Sequence, residues 1–234
     1  MVTSEDGLRT RISDNLNRVL QRMVEAAQRA GRSVDAIRLL GVTKYASLEE
    51  TQALYAAGCH DLAESRPQDL WDKAKQLIEP DLRWHFIGHL QRNKVRRTLP
   101  WLHLLHSLDS QRLLEELESE ASRAGLRVKI LLEVNISGDS NKTGIAPNEV
   151  ESLVEKVLGT AHVELCGLMG MAGLGTDSHS ARRCFDQLRE LRDDLQVKYP
   201  AANLSELSMG MSGDFESAIA AGSTMVRIGS ALFE

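Results

Sequence analysis

Strand-like starts recur near Arg38, His60, Leu82, Leu102, Val128, Val163, Asn203 and Thr224. Between them the spacing predicts helices over 48–57, 67–78, 91–98, 110–124, 147–159, 179–198 and 214–221. Eight strands alternating with helices imply a parallel sheet, because a parallel return needs a crossover, and eight is the number that closes a barrel. Gly58, Gly125 and Gly222 each sit where a helix hands over to a strand. An open doubly wound sheet is the alternative, but the GxGxxG turn that would favour it after the first strand is absent. Ahead of the first strand, Leu8, Ile12, Leu16, Val19, Leu20, Met23 and Ala27 recur at helical spacing up to a stop at Gly31. The sequence ends at Glu234, shortly after the eighth strand, so the eighth outer helix is expected from this N-terminal segment. No Gly/Ser/Pro-rich linker divides the chain. The expected fold is therefore α/β, a single (β/α)8 TIM-type barrel with an added N-terminal helix, one domain over residues 1–234.

Composition narrows the function classes. A net charge of −5 argues against a general nucleic-acid or anionic-membrane surface. No apolar run approaches ~18 residues, so no membrane span is expected. Cys59, Cys166 and Cys184 are far apart and lack CxxC spacing, which fits structural thiols in a reducing compartment, the cytosol. Several motif matches fail on inspection. The run Gly138–Thr143 lacks the glycine before Lys142 that a phosphate-binding P-loop needs. Gly210-Met-Ser212-Gly213 misses the GxSxG nucleophile elbow by one residue. His85 and His89 are four apart, but Gly88 breaks any helix between them, so a zinc site is disfavoured. The basic run Gln91–Arg97 reads either as a solvated helix face or as an anion contact near the barrel mouth.

The chemistry concentrates at two places. The short apolar run Leu39, Leu40, Val42 is a buried strand that ends on Lys44, and Ser47-Leu-Glu-Glu50 opens a helix with a capping-box pattern. A lysine at a strand tip lies where such barrels place their chemistry, and desolvation favours the neutral amine that attacks carbonyls. The second place is Glu206–Glu216, rich in small residues (Ser208, Gly210, Ser212, Gly213), together with Gly229-Ser230 after the eighth strand. Such loops let backbone N–H groups approach an anion, and barrel phosphate sites often follow strands seven and eight. Closure sets strand eight ~4.8 Å from strand one, so Lys44 is expected roughly 5–10 Å from these loops. A small phosphorylated aldehyde fits that gap, and pyridoxal 5′-phosphate (PLP) is a common one.

Val42-Thr43-Lys44, the stretch Trp84–Lys94, His106–Asp109, Val134-Asn135, Lys142-Thr143-Gly144, Gly167–Met169, Leu207–Ser212 and Met225–Gly229 stand in the order and spacing of one family. Over nearly its whole length the chain resembles the pyridoxal-phosphate homeostasis (PLP-binding) proteins, whose fold is similar to the N-terminal barrel of alanine racemase. The resemblance implies a Schiff base between PLP and Lys44, phosphate contacts from Ser208, Gly210, Ser212, Gly229 and Ser230, and Arg227 turned toward the ring or phosphate. Ala63-Glu64-Ser65 departs from the family's Gly-Glu-Asn, and Glu234 replaces a usual glycine. Neither a metal nor a catalytic residue is assigned. The resemblance implies storage and delivery of PLP, hence vitamin B6 homeostasis, rather than turnover. PLP and apo PLP-dependent enzymes are the expected partners, and the chain is expected as a monomer. Two alternatives stay open: a racemase-like PLP enzyme, for which Tyr45, Tyr55 and Tyr199 offer no well-placed second acid/base, and a cofactor-free Schiff-base aldolase on Lys44.

Overall fold

A computed structural model describes residues 4–138, 143–173, 175 and 177–234. Lys142 and most of the Gly138–Thr143 run lie outside the described residues. The strands are β1 (Arg38–Val42), β2 (Asp61–Glu64), β3 (Arg83–Phe86), β4 (Leu104–Leu108), β5 (Val128–Val134), β6 (Val163–Gly170), β7 (Glu206–Ser208) and β8 (Met225–Ile228). All pair in parallel with their sequence neighbours, and β8 returns to β1 with Arg38 opposite Met225 and Gly41 opposite Ile228. The barrel is closed, as expected from the eightfold alternation. The helices are α1 (Ser4–Arg29), α2 (Leu48–Ala56), α3 (Pro67–Gln76), α4 (Val95–Thr98), α5 (Gln111–Ala124), α6 (Val150–Leu158), α7 (Ser178–Lys198), α8 (Phe215–Ala221) and α9 (Ser230–Phe233).

The N-terminal segment takes the expected place: α1 packs on α2, α8 and α9. Its buried stripe is Ile12, Leu16, Val19, Met23, Ala26 and Ala27, and Asn15 Nδ2 donates to the carbonyls of Leu232 and Glu234 at 3.0 and 2.8 Å. Leu20, which the periodicity included, faces outward instead. Other boundaries differ for local reasons. Residues 91–98 form a 3₁₀ turn, Arg92–Lys94, and then α4, which passes at Pro100 into a second 3₁₀ turn, Leu99–Trp101. The seventh strand starts at Glu206 rather than Asn203, since Asn203 Oδ1 accepts the Ser205 N–H and turns the chain first.

Strand alternation divides the core in two. Between strands and helices lies the larger cluster, which includes Leu54, Leu62, Phe86, Leu105, Leu132, Phe185 and Phe215. Inside the barrel, Leu40, Val42, Ala63, Leu104, Leu131, Cys166, Met169 and Met225 form a smaller one. The interior is not wholly apolar, because His85, His106, Ser208 and Arg227 are buried there too. No described helix is long and apolar enough to cross a membrane.

Candidate functional site

The residues that follow the C-terminal ends of the strands enclose a cavity of about 640 Å³. Its wall is formed by Val42 and Lys44 after β1, Ser65 after β2, Ile87 after β3, and Met169 and Met171 of and beyond β6. Met211, Ser212 and Gly213 after β7, and Arg227, Gly229 and Ser230 of and beyond β8, continue it, and Tyr45, Ala46, Glu50, Phe233 and Glu234 line its rim. Of the residues expected at a ligand, Lys44, Ser212, Arg227, Gly229 and Ser230 are thus brought together.

Lys44 is half-buried, and its position is fixed from behind. The Thr43 N–H donates to the Ala63 carbonyl at 2.9 Å, and Thr43 Oγ1 donates to Glu64 Oε1 at 2.7 Å. Lys73 Nζ on α3 donates to the same Glu64 oxygen at 2.7 Å and to the Thr43 carbonyl at 2.6 Å. Arg66 Nη2 donates to the Lys44 carbonyl at 2.6 Å. Ahead of it, the expected capping box forms, with Ser47 and Glu50 exchanging side-chain and backbone bonds at the start of α2. The Lys44 amine lies 5.1 Å from the centroid of the Tyr45 ring, which is 85% exposed at the rim.

The two small-residue loops are joined: the Gly229 N–H donates to Ser212 Oγ at 3.2 Å. Asp214 Oδ1 accepts the Met211 N–H at 2.6 Å and holds the first loop's turn. Gly210 has φ +96°, and a Cβ there would stand 2.6 Å from that of Ala218, so only glycine lets the loop lie against α8. Two of the expected residues are placed apart from the others. Gly210 is buried against α8, Ser208 is buried inside the barrel, and neither lines the cavity. Strand alternation explains Ser208, which turns inward while Leu207 and Met209 turn outward.

Arg227 is the buried cation of the cavity wall. It is 4% exposed, and its Nη1 donates to the carbonyl and the Oγ of Ser208, both at 2.7 Å, while Nη2 donates to the Gly170 carbonyl at 3.0 Å. These acceptors are neutral oxygens. Burial lowers its pKa to about 10, against the pull of Asp214 and Glu133, so it remains a cation at neutral pH. Burial also raises the pKa of both carboxyls, which weakens them as counterions.

Other sequence candidates lie elsewhere. The four cations of Gln91–Arg97 do not line the cavity, and Arg97 stacks on Trp71 at 3.9 Å. His85 is buried, while His89 is exposed and 3.4 Å from Asp109; among the described residues no cluster could hold a metal ion. The hydroxyls of Tyr55 and Tyr199 bond to Asp81 and to Glu151 and Glu155, away from the cavity. Sequence reading missed Asp61 and His106. The signal was available in the alternation of β3 and β4, where a histidine stands at an inward position of each strand.

A closed parallel barrel with a lysine just beyond β1 and small-residue loops after β7 and β8 places the chain in the class of barrels that carry a lysine at their C-terminal mouth. The chain belongs to the alanine racemase N-terminal domain family, whose model matches residues 14–234. It is 40% identical to a pyridoxal phosphate homeostasis protein of Aquifex aeolicus over 220 residues, 94% of this chain and 96% of that one. A protein of the same name from Pseudomonas aeruginosa is 38% identical, over 95% of this chain and 94% of that one. Among solved structures, PipY of Synechococcus elongatus with PLP bound superposes with a TM-score of 0.83 at 31% identity, over 95% of this chain and all of that one. Alanine racemase of Clostridium difficile, at 15% identity and a TM-score of 0.70, shares the fold over 55% of its own length.

Proposed function

We propose that this chain, as one barrel domain over residues 1–234, binds PLP at the C-terminal mouth of the barrel, holds it reversibly on Lys44 and releases it to apo PLP-dependent enzymes. The carrying observation is the convergence of the Lys44 amine, the joined Ser212 and Gly229 loops and the Arg227 cation on one cavity. Those residues fit the group: an amine for an aldehyde, small-residue loops for a phosphate, and a buried cation with no ion pair among the described residues for the charge. When bound, PLP supplies an electrophilic aldehyde and a ring that withdraws electrons. Everything else comes from the chain. Lys44 would hold the aldehyde end through its amine, the aldehyde oxygen leaving as water, and the Glu64–Lys73 pair holds the strand end that presents it. Ser212, Gly213 and Ser230 would present hydroxyl and backbone donors to the phosphate, while the Gly229 N–H, bonded to Ser212 Oγ, ties the two loops together. Arg227 supplies a fixed cation within the wall. The proposed phosphate set therefore omits Ser208 and Gly210, whose roles are to hold Arg227 and to shape the loop.

The reading is of a carrier rather than an enzyme. Proton exchange at Cα on both faces needs a second placed acid/base opposite the lysine. Tyr55 and Tyr199 are bonded to carboxylates outside the cavity, and Tyr45 lines its exposed rim. Of the two lining carboxyls, Glu50 is held by Arg11 and the Ser47 N–H, while Glu234 belongs to the last residue of the sequence. Mixing the loaded protein with an apo PLP-dependent enzyme should restore that enzyme's activity faster than an equal trace of free PLP. Incubation with L-alanine in D₂O should give no Cα deuteration above the free-PLP control. Deuteration well above that control and lost in Lys44→Ala would make the chain an enzyme.

A further inference from the structure

A continuous hydrogen-bonded chain crosses the barrel interior behind the cavity wall. Asp61 Oδ1 lies 3.0 Å from His85 Nε2, His85 Nδ1 lies 2.9 Å from His106 Nε2, and His106 Nδ1 lies 2.9 Å from Ser208 Oγ. Ser208 Oγ is the atom that accepts from Arg227 Nη1. The chain thus links β2, β3, β4, β7 and β8, and His85, His106 and Ser208 have no exposed surface. At its far end Arg83 grips Asp61 with two bonds, at 2.7 and 2.6 Å.

Donor logic fixes every proton. A guanidinium can only donate, so Ser208 Oγ accepts from Arg227. Arg83 and His85 hold the Asp61 carboxyl ionised despite its burial, so it only accepts, and His85 carries its hydrogen on Nε2. A single hydrogen bridges the two facing ring nitrogens; with His85 neutral it belongs to His106 Nε2. His106 Nδ1 is then bare and takes the Ser208 hydroxyl hydrogen. Every bond runs in one direction, from Arg227 to Asp61. An extra proton on His106 Nδ1 would force the Ser208 hydroxyl to turn away, next to the Arg227 cation. Arg38, His85 and His103 also face His106 with like charge when protonated, and burial acts the same way.

We propose that the Asp61–His85–His106–Ser208 chain is a positioning relay for Arg227, carrying the carboxylate's polarisation across the barrel to Ser208 Oγ. Through it the guanidinium stays oriented and cationic without an ion pair. Nη1 donates to both Ser208 oxygens and Nη2 once to Gly170, so among the described residues the Nε–H and one Nη2 hydrogen are left for an acceptor in the cavity. The acceptor is an anionic or heteroaromatic small molecule. The relay depends on the function proposed above only for naming PLP as that acceptor.

The test begins with the unliganded, ¹⁵N-labelled full chain. Two histidine rings, one of them lost in His106→Asn, should stay in the neutral Nε2–H tautomer from about pH 6 to about pH 8, while exposed histidines titrate. The Arg227 side chain should show resolved, slowly exchanging N–H signals. Ser208→Ala should free the His106 tautomer, merge the Arg227 signals and raise the Kd for PLP roughly 10- to 100-fold. Ser208→Thr, which keeps the hydroxyl, should restore all three. If Ser208→Ala does not fold, His106→Asn serves as the second variant with the same expected loss of Arg227 order. An Nδ1–H tautomer at either histidine, or Arg227 signals unmoved by both variants, overturns the relay. A wild-type chain that shows the tautomers and ordered Arg227 but binds no PLP leaves the relay standing and removes the PLP reading instead.

Discussion

Two cations, Lys73 partly buried outside the barrel wall and Arg227 buried inside it, are treated in opposite ways. Outside the wall, Lys73 meets the Glu64 carboxylate at 2.7 Å, and the pair locks the strand end that presents Lys44. Inside it, Arg227 hydrogen-bonds, among the described residues, to the hydroxyl and carbonyl oxygens of Ser208 and the carbonyl of Gly170, with Asp214 and Glu133 acting on it from further off. A buried charge without a partner is costly, and removing one partner of a buried pair exposes that cost. The pair outside is therefore a structural device whose charge is already neutralised. The cation inside keeps its charge for whatever enters the cavity.

The largest expected effect separates Lys44 from both. Lys44→Ala should abolish covalent PLP capture, read as complete loss of the visible absorbance band, with the far-ultraviolet circular dichroism unchanged. Next comes the phosphate. Charge-assisted hydrogen bonds contribute about 1.5–3 kcal/mol each, so pyridoxal without its phosphate should bind orders of magnitude more weakly than PLP in a fluorescence titration. Similar Kd values for the two would remove the Ser212 and Gly229 loops from the site.

The comparison itself is broken or sharpened by Lys73→Met and Arg227→Met. Lys73→Met leaves the Glu64 carboxylate buried, where its Oε2 already has no partner among the described residues, and should cost about 3–5 kcal/mol in urea unfolding. PLP affinity in the folded fraction should change little. Arg227→Met should do the reverse, lowering PLP affinity more than stability. Equal losses of both quantities in the two variants would erase the distinction between a neutralised and an available charge.

The smallest effect is on pH. Burial pushes His85 and His106 below the ordinary histidine range, and His103 to about 4. An unfolded chain protonates its histidines below about pH 6.5 while these stay neutral in the fold. The unfolded state then binds more protons, so this contribution is complete above about pH 6.5 and is lost as pH falls toward the folded values. Unfolding free energy should decline between about pH 6.5 and about pH 4. His106→Gln should flatten that slope by up to one proton, about 1.4 kcal/mol per pH unit. An unchanged slope would mean that His106 is already charged in the fold.

What could be read from the sequence follows from what is local in the chain. The eightfold alternation, the Ser47–Glu50 cap and the lysine at a strand tip are each carried by a few neighbouring residues, and the structure has all three. The small-residue loops were legible too, because chain order alone placed them after strands seven and eight. The relay was not. Ser208 was read as a loop residue facing a ligand, yet the short β7 ends on it and its pleat turns it inward to His106, 102 positions away in sequence. No local pattern joins residues whose contact exists only because the barrel closes. Leu20 fell outside the core for a related reason, since the buried stripe of α1 is narrower than its apolar periodicity.

The most direct measurement is borohydride reduction of the PLP-loaded wild-type chain, followed by peptide mapping of the adduct. One stoichiometric pyridoxyl adduct on Lys44 is the expected result. An adduct mainly on any other lysine, or none at all from a protein saturated with PLP, would contradict the assignment of this cavity as the place where the chain holds its ligand.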